Sequence, residues 1–245
     1  MADLVEGLDF RPTYGIPVLI GLLIPIVFSS SPKIADTTLR RKYQVLQLLT
    51  LIGAIFGAKL VILMGDLLWP WVPLTSWWTV VTSGRSVVGG FLFGFLTAEV
   101  AKPLLNYPLP SNDHFARTLC FSVAVGRVGC WLSGCCMGMP WEGPLAWHDA
   151  HGVGHIPIQA MEGLFHVMCG LVFTFGLSRG WWVGRMFAVY MFSYGLYRFL
   201  TEFLRETPKV WEGFSVYQGF CVALMLAGAI SYALKSKSTV VSAFR

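Results

Sequence analysis

Runs of apolar residues long enough to cross a bilayer recur along this 245-residue chain. VLQLLTLIGAIFGAKLVILMG, for one, ends at Gly65, and further apolar runs follow as far as Leu234. A hydrocarbon core about 30 Å thick needs about 20 helical residues to span it. Charged residues make up only 13% of the chain, against about a quarter in a soluble domain. The reading is an all-α integral membrane protein, a single transmembrane domain over residues 1–245. Helices are expected near 14–30, 44–68, 84–105, 116–133, 159–178, 182–203 and 215–234. The acidic start, MADLVEGLDFRP, lacks the basic region of a cleavable signal peptide.

Lysine and arginine bias sets the expected orientation. Lys33, Arg40, Arg41 and Lys42 lie between the first two spans, and Lys102, Arg117, Arg179, Arg185, Lys235, Lys237 and Arg245 fall on the same side. The opposite side holds Arg11, Arg85, Arg198, Arg205 and Lys209, a poorer set. The richer side is therefore cytoplasmic, with the N-terminus outside and the C-terminus inside. Trp69, Trp71, Trp77 and Trp78 then belong to an outer interfacial belt. Residues 134–158, rich in Gly, Pro, Trp and His, read as an ordered outer loop. The basic residues are scattered, which argues against a nucleic-acid partner. No GxGxxG, Walker or zincin pattern occurs.

Ionisable residues inside spans are the first candidates for function, because burying charge in lipid is costly. They are Lys59, Asp66, Arg85, Glu99, Arg127, Glu162, Arg198, Glu202 and Arg205. Lys59, Asp66 and Glu99 read as helix-to-helix partners. In SYGLYRFLTEFLRE, residues 193–206, helical spacing of about 100° per residue puts Tyr194, Arg198, Glu202 and Arg205 on one stripe. Arg198 and Glu202 are spaced i,i+4 for pairing. Arg127 is expected at a similar depth. Three arginines at one leaflet suit a phosphate, whose oxygens match the guanidinium fork, and a phospholipid headgroup supplies one there.

These segments resemble the prolipoprotein diacylglyceryl transferase family. GRVGCWLSGCCMG, residues 126–138, is similar to its signature, close to G-R-x-G-N-F-x-N-G-E-x-x-G, and keeps Gly126, Arg127, Gly129, Gly134 and Gly138. RFLTEFLRE keeps Arg198, Phe199, Glu202, Phe203 and Arg205 of a second motif, and Tyr194 falls on a family tyrosine. HIPIQAMEG keeps Pro157, Gln159 and Glu162; PTYGIPVLIG keeps Tyr14 and Gly15; SVVGGFLFG keeps Gly89 and Gly90; GAIFGAKL puts Lys59 at a family arginine. The resemblance implies transfer of a diacylglyceryl group from phosphatidylglycerol, or another anionic phospholipid, to a cysteine thiol of a prolipoprotein. Its partners would be the prolipoprotein signal peptide and the bilayer. It implies a bacterial inner membrane with the active site towards the outer leaflet. It implies phospholipid binding by Arg127, Arg198, Arg205, Tyr14, Tyr194, Gly89, Gly90, Gln159 and Glu162, with Arg127, Arg198, Glu202, Cys130 and Cys135 in the chemistry. No cofactor is implied.

The chain departs from the family on one side of the site. Cys130 and Ser133 stand at the signature asparagines and Cys135 at its glutamate; Val88 stands at a histidine, and Ile156 precedes Pro157, with His155 one place early. Cys120, Cys169 and Cys221 lie in apolar spans and read as small buried hydrophobes. For Cys130, Cys135 and Cys136 four readings stand. One thiol acts as nucleophile or stabiliser in lipid transfer, its pKa lowered by an arginine. Cys130 forms a disulfide with Cys135 or Cys136. The three hold a soft metal with His148, His151 or His155, although C-x4-C-C matches no common zinc spacing. Or they are small residues lining a tight helix end. The general base stays open among Glu202, His155 and a thiolate. Two further functions remain: a related transferase with another acceptor, and a thiol redox or metal-handling protein on the same fold.

Overall fold

The structure, a computed structural model, describes residues 12–28, 36–67, 86–108, 113–149 and 151–234. Seven α-helices occur among them: α1 (Pro12–Phe28), α2 (Thr37–Ile62), α3 (Val87–Leu104), α4 (Asp113–Ser133), α5 (Ile158–Ser178), α6 (Met186–Thr201) and α7 (Val216–Leu234). Five segments, Thr37–Gly65, Val87–Leu104, Phe115–Ser133, Ile158–Ser178 and Val216–Leu234, are long and apolar enough to cross a membrane. The chain is thus a mostly helical, multi-pass membrane protein. Apolar side chains such as Leu48, Leu51, Ile52, Ile55 and Phe56 lie open on the outside of α2, as a lipid-facing surface requires.

Two sequence expectations need correction. The basic run Arg40-Arg41-Lys42 is helical, because Asp36 caps α2 early by accepting from the Thr38 amide at 2.8 Å. Arg205 lies beyond the helix that carries Tyr194 and Arg198, so helical spacing does not place it with them. α6 tightens into a 3-10 turn at Glu202–Leu204 and stops before Pro208, where a proline ends helical geometry. The expected tryptophan belt, Arg85, and the basic residues before Asp36 and after Leu234 lie outside the described residues, as does the Asp66 side chain.

The chain forms two compact units. The first holds α1, α4, α5, the following turn, the start of α6, and residues 203–206. There α4 packs against both α1 and α5. Ser122 donates to the Gly21 carbonyl at 2.5 Å, tying α4 to α1. Buried Asp113, at the start of α4, accepts from the backbone amides of Gly184 and Phe187. The second unit holds α2, α3, the rest of α6 and α7. Its centre is a backbone contact between α2 and α3. A Cβ on Gly57 would fall 2.6 Å from the Gly89 carbonyl oxygen, and one on Gly89 would fall 2.7 Å from Val61. Small residues let membrane helices approach this closely, and packing replaces the missing hydrophobic drive.

The segment between α4 and α5 carries a small hairpin. β1 (Trp147–His148) pairs antiparallel with β2 (Gly154–His155), and Pro140 bridges to His155. Asp149 holds the turn, accepting from the amides of His151 and Val153 at 2.9 Å each. These bonds, with His155, hold its carboxyl below the usual aspartate range. A second hairpin, β3 (Lys209–Trp211) and β4 (Phe214–Ser215), leads into α7.

Candidate functional site

The first unit contains a polar stripe buried between apolar helices. Gln159, Glu162 and His166 follow one another at i,i+3 and i,i+4 on α5, and none is exposed. Arg127 on α4 faces this stripe, its Nη2 donating to Glu162 Oε1 at 2.6 Å. His166 Nε2 lies 3.9 Å from the same oxygen, and His166 Nδ1 shares a 2.8 Å hydrogen bond with the Tyr190 hydroxyl. A carboxylate can only accept, so it favours the tautomer with the proton on Nε2 and Tyr190 donating to Nδ1. The order Arg127–Glu162–His166–Tyr190 therefore links α4, α5 and α6. Neither amide atom of Gln159 meets a protein partner among the described residues. An unmade bond to a buried polar group costs about 1–3 kcal/mol, which a polar ligand would relieve.

The cysteine cluster sits at the C-terminal end of α4. Gly134 has φ +66°, and two reverse hydrogen bonds close the helix: Gly134 N–H to Trp131 O at 3.2 Å and Cys135 N–H to Cys130 O at 3.1 Å. This is a Schellman cap, which sets the side chains at the latter two positions against each other. The usual apolar contact is here a contact between two thiols. Cys136 follows with φ 61°, a left-handed conformation rare for a residue with a Cβ. The three Sγ atoms lie within 4.8 Å of one another. All six cysteines among the described residues are free thiols.

The cluster is wired to its surroundings. Arg127 Nη1 donates to Cys130 Sγ at 3.8 Å, and Ser133 Oγ, whose proton goes to the Gly129 carbonyl at 2.7 Å, lies 3.4 Å from Cys135 Sγ. Hydrogen bonds from Cys130 and Cys135 pull the Cys136 thiol well below its ordinary pKa, aided by the charges of Arg127 and Arg205. For Cys135 the bond from Cys130 lowers the value, but its bond to Cys136 and burial together raise it. Trp131 meets Trp147 edge to face at 6.2 Å, fixing the loop to the end of α4. The Met139 amide donates to the Leu204 carbonyl at 2.9 Å, anchoring the loop beside the segment that carries Arg205.

The second unit holds the other motif residues. Buried Arg198 pairs with Glu202 one helical turn on. Glu202 is fully buried and also accepts from Thr207 at 2.6 Å and Ser215 at 3.1 Å, while Lys209 donates to its carbonyl at 2.8 Å. Tyr194 is buried against Phe91, with centroids 5.5 Å apart. Gly89 serves the α2–α3 contact described above; Gly90 is adjacent to it and less crowded. The Tyr14 side chain lies outside the described residues. Glu99 pairs with Lys102 on α3 at 2.6 Å. His155 is held by Asp149 and by the Gly138 carbonyl, and no histidine joins the thiol cluster among the described residues.

Sequence reasoning missed His166 and Tyr190. The available signal for His166 was its i+4 spacing from Glu162, which puts both on one helical face; nothing local pointed to Tyr190.

Residues 6–234 match the family model described as prolipoprotein diacylglyceryl transferase. The chain is 25% identical to phosphatidylglycerol–prolipoprotein diacylglyceryl transferase 2 of Clostridium perfringens, covering 76% of this chain and 75% of that one. It is 26% identical to the similarly named transferase of Leptospira interrogans, over 90% and 88% of the two chains. A third relative, from Polynucleobacter asymbioticus, is 30% identical over 64% of this chain and 62% of its own.

Proposed function

The chain belongs to the prolipoprotein diacylglyceryl transferase family, and we propose that it moves a diacylglyceryl group from phosphatidylglycerol to a cysteine thiol of a prolipoprotein. The observation that carries this reading is the polar stripe of α5 with Arg127 locked against it. Lipid-embedded helices do not keep a buried arginine, carboxylate, histidine and amide together without a use for them. The leaving phosphate gains negative charge as the carbon–oxygen bond breaks. The guanidiniums of Arg127, Arg198 and Arg205 are the groups that meet it, since fixed positive charge acts most strongly where charge develops. Glu162 holds Arg127 in place, and Glu202 does the same for Arg198. The Gln159 amide and Tyr14, Tyr194, Gly89 and Gly90 belong to the headgroup-binding set.

The same reading supplies the topology. It has seven spans, the N-terminus outside and the C-terminus in the cytoplasm, in a bacterial inner membrane. The site opens to the outer leaflet, where the signal peptide of the acceptor arrives. The lysine and arginine bias supports this orientation. Labelling of introduced cysteines in intact cells tests it: positions in 139–155 should react with an impermeant reagent. Reaction of positions in 33–42 would reverse the orientation.

The activity test uses purified protein, phosphatidylglycerol vesicles and a cysteine-containing prolipoprotein peptide. Mass spectrometry should find the peptide heavier by one diacylglyceryl group, with glycerol phosphate released. An unmodified peptide, with intact lipid in the same reaction, would overturn the reading.

A further inference from the structure

We propose that Cys130, Cys135 and Cys136 form a three-sulfur site for a thiophilic divalent ion, with zinc the natural probe, whose fourth position takes the acceptor thiol. The second half of this inference rests on the transferase reading above; the first half does not.

The geometry fits such an ion. Three sulfurs each about 2.3 Å from one zinc lie roughly 3.8–4.0 Å apart, from trigonal or tetrahedral geometry. The three Sγ atoms here are already within 4.8 Å of one another, so ligation needs only small side-chain rotations. The cap of α4 brings two of them together through its backbone hydrogen bonds. The third is placed by a left-handed Cys136, a conformation that costs about 1–3 kcal/mol for a residue with a Cβ. A disulfide uses two sulfurs and gives no reason for the third. An ion uses all three.

The surroundings also fit. Arg127 donates to Cys130, the kind of outer partner that orients a thiolate ligand and spreads its charge. No fourth His, Cys, Asp or Glu among the described residues joins the group, and Cys136 is exposed. Structural zinc sites are closed by four protein ligands, whereas reactive ones keep three and leave a position open. A thiol entering that position is deprotonated on coordination, and the thiolate is the nucleophile.

The transfer step then balances. The acceptor thiol binds the ion and releases its proton to solvent. Its sulfur forms a bond to the glyceryl carbon next to the phosphate. That carbon's bond to the phosphate oxygen breaks, and the oxygen keeps the electron pair. The products are the thioether and glycerol phosphate, the latter carrying the extra negative charge.

The test begins with metal content, measured by elemental mass spectrometry on detergent-purified full-length protein stripped with a chelator and reloaded with zinc. Wild type should hold one ion per chain, as should Cys169→Ser and Cys221→Ser. Cys136→Ser should bind more than about 100-fold more weakly, beyond the loss caused by disturbing an outer partner alone. Cys136→His keeps a ligand and should restore binding, which separates loss of ligation from misfolding. Cobalt in place of zinc gives a sulfur-to-metal absorption band whose strength follows the number of thiolates. The acceptor peptide should strengthen that band, and its Cys→Ser version should not. A stripped and reloaded wild type without stoichiometric metal, or a Cys130–Cys135 disulfide in the reduced, purified protein, would overturn the site. Full transfer by metal-free protein would overturn the role in thiol activation while leaving the transferase reading intact. Metal binding with the expected cobalt response, but no transfer under any condition, would uphold the site and sink the transferase reading.

Discussion

Each compact unit carries a buried arginine–carboxylate pair, and the two are built in opposite ways. The arginine side chains are 11% and 9% exposed, and neither carboxylate is exposed at all. Arg127 reaches from α4 to Glu162 on α5, across 35 residues of sequence. Arg198 reaches Glu202 within one turn. The first pair exists only once two helices have packed. The second forms as its helix forms, and Thr207 and Ser215 then occupy the carboxylate further. The same chemical unit is thus an interhelical tie in one place and a finished local brace in the other. Removing a partner should disturb helix packing in the first unit and mainly the end of α6 in the second.

The largest expected effect falls on the interhelical tie. Glu162→Ala leaves a guanidinium buried without its carboxylate and should destabilise by about 3–5 kcal/mol, measured by unfolding in detergent. The paired replacement Arg127→Met with Glu162→Leu should bring stability back to wild type, or up to about 1–4 kcal/mol above it. It should leave transfer abolished. Recovery of transfer in that double variant would show that Arg127 is structural only.

Next in size is loss of phosphate contact with the fold kept. Arg198→Lys retains a charge beside Glu202 but loses the bidentate fork. Transfer should drop about 100- to 1,000-fold, as for loss of one preorganised donor, with little change in unfolding. Wild-type turnover would assign Arg198 to structure.

Smaller is the local brace itself. Ser215→Ala removes one of the bonds to Glu202 and should cost about 0.5–1.5 kcal/mol. A loss as large as that of Glu162→Ala would erase the contrast between the two pairs.

Much of the helical framework could be read from the chain because hydrophobic runs and caps are local. The helices among the described residues fall near the apolar runs, except that α2 begins well before its run, and the turn at Gly134 follows from a glycine beyond a helical pattern. Arg127 and Cys130 touch because residues three apart share a helix face. Other features depended on partners far away in sequence. Nothing near Arg127 names Glu162, and nothing near His166 names Tyr190. Arg205 lies past the end of its helix, an end that residue spacing alone does not reveal. The cysteines matched no metal pattern because they converge through a helix cap followed by a left-handed residue, a geometry that a spacing rule does not encode.

The smallest effect is one of pH, in the loop. Asp149 is held below the usual aspartate range by the amides it accepts from. A carboxyl lowered on folding stabilises above its unfolded pKa, and that contribution is lost as pH falls through the folded value. Protection of the His151 and Val153 amides from hydrogen exchange, corrected for intrinsic rate, should decline only at such acid pH. Decline already at neutral pH would show that the Asp149 carboxylate does not hold the turn.

The end of α4 has a kinetic consequence. Most helix caps are chemically silent, and their fraying goes unseen by reagents. In this one the same opening that breaks the bond from Cys135 N–H to Cys130 O also parts two sulfurs. The rate at which a maleimide finds Cys130 then counts how often the last turn lets go, as amide exchange does for a backbone. Bulk added at Gly134, where a Cβ would sit 3.0 Å from Trp147, should appear first as a faster clock at that thiol.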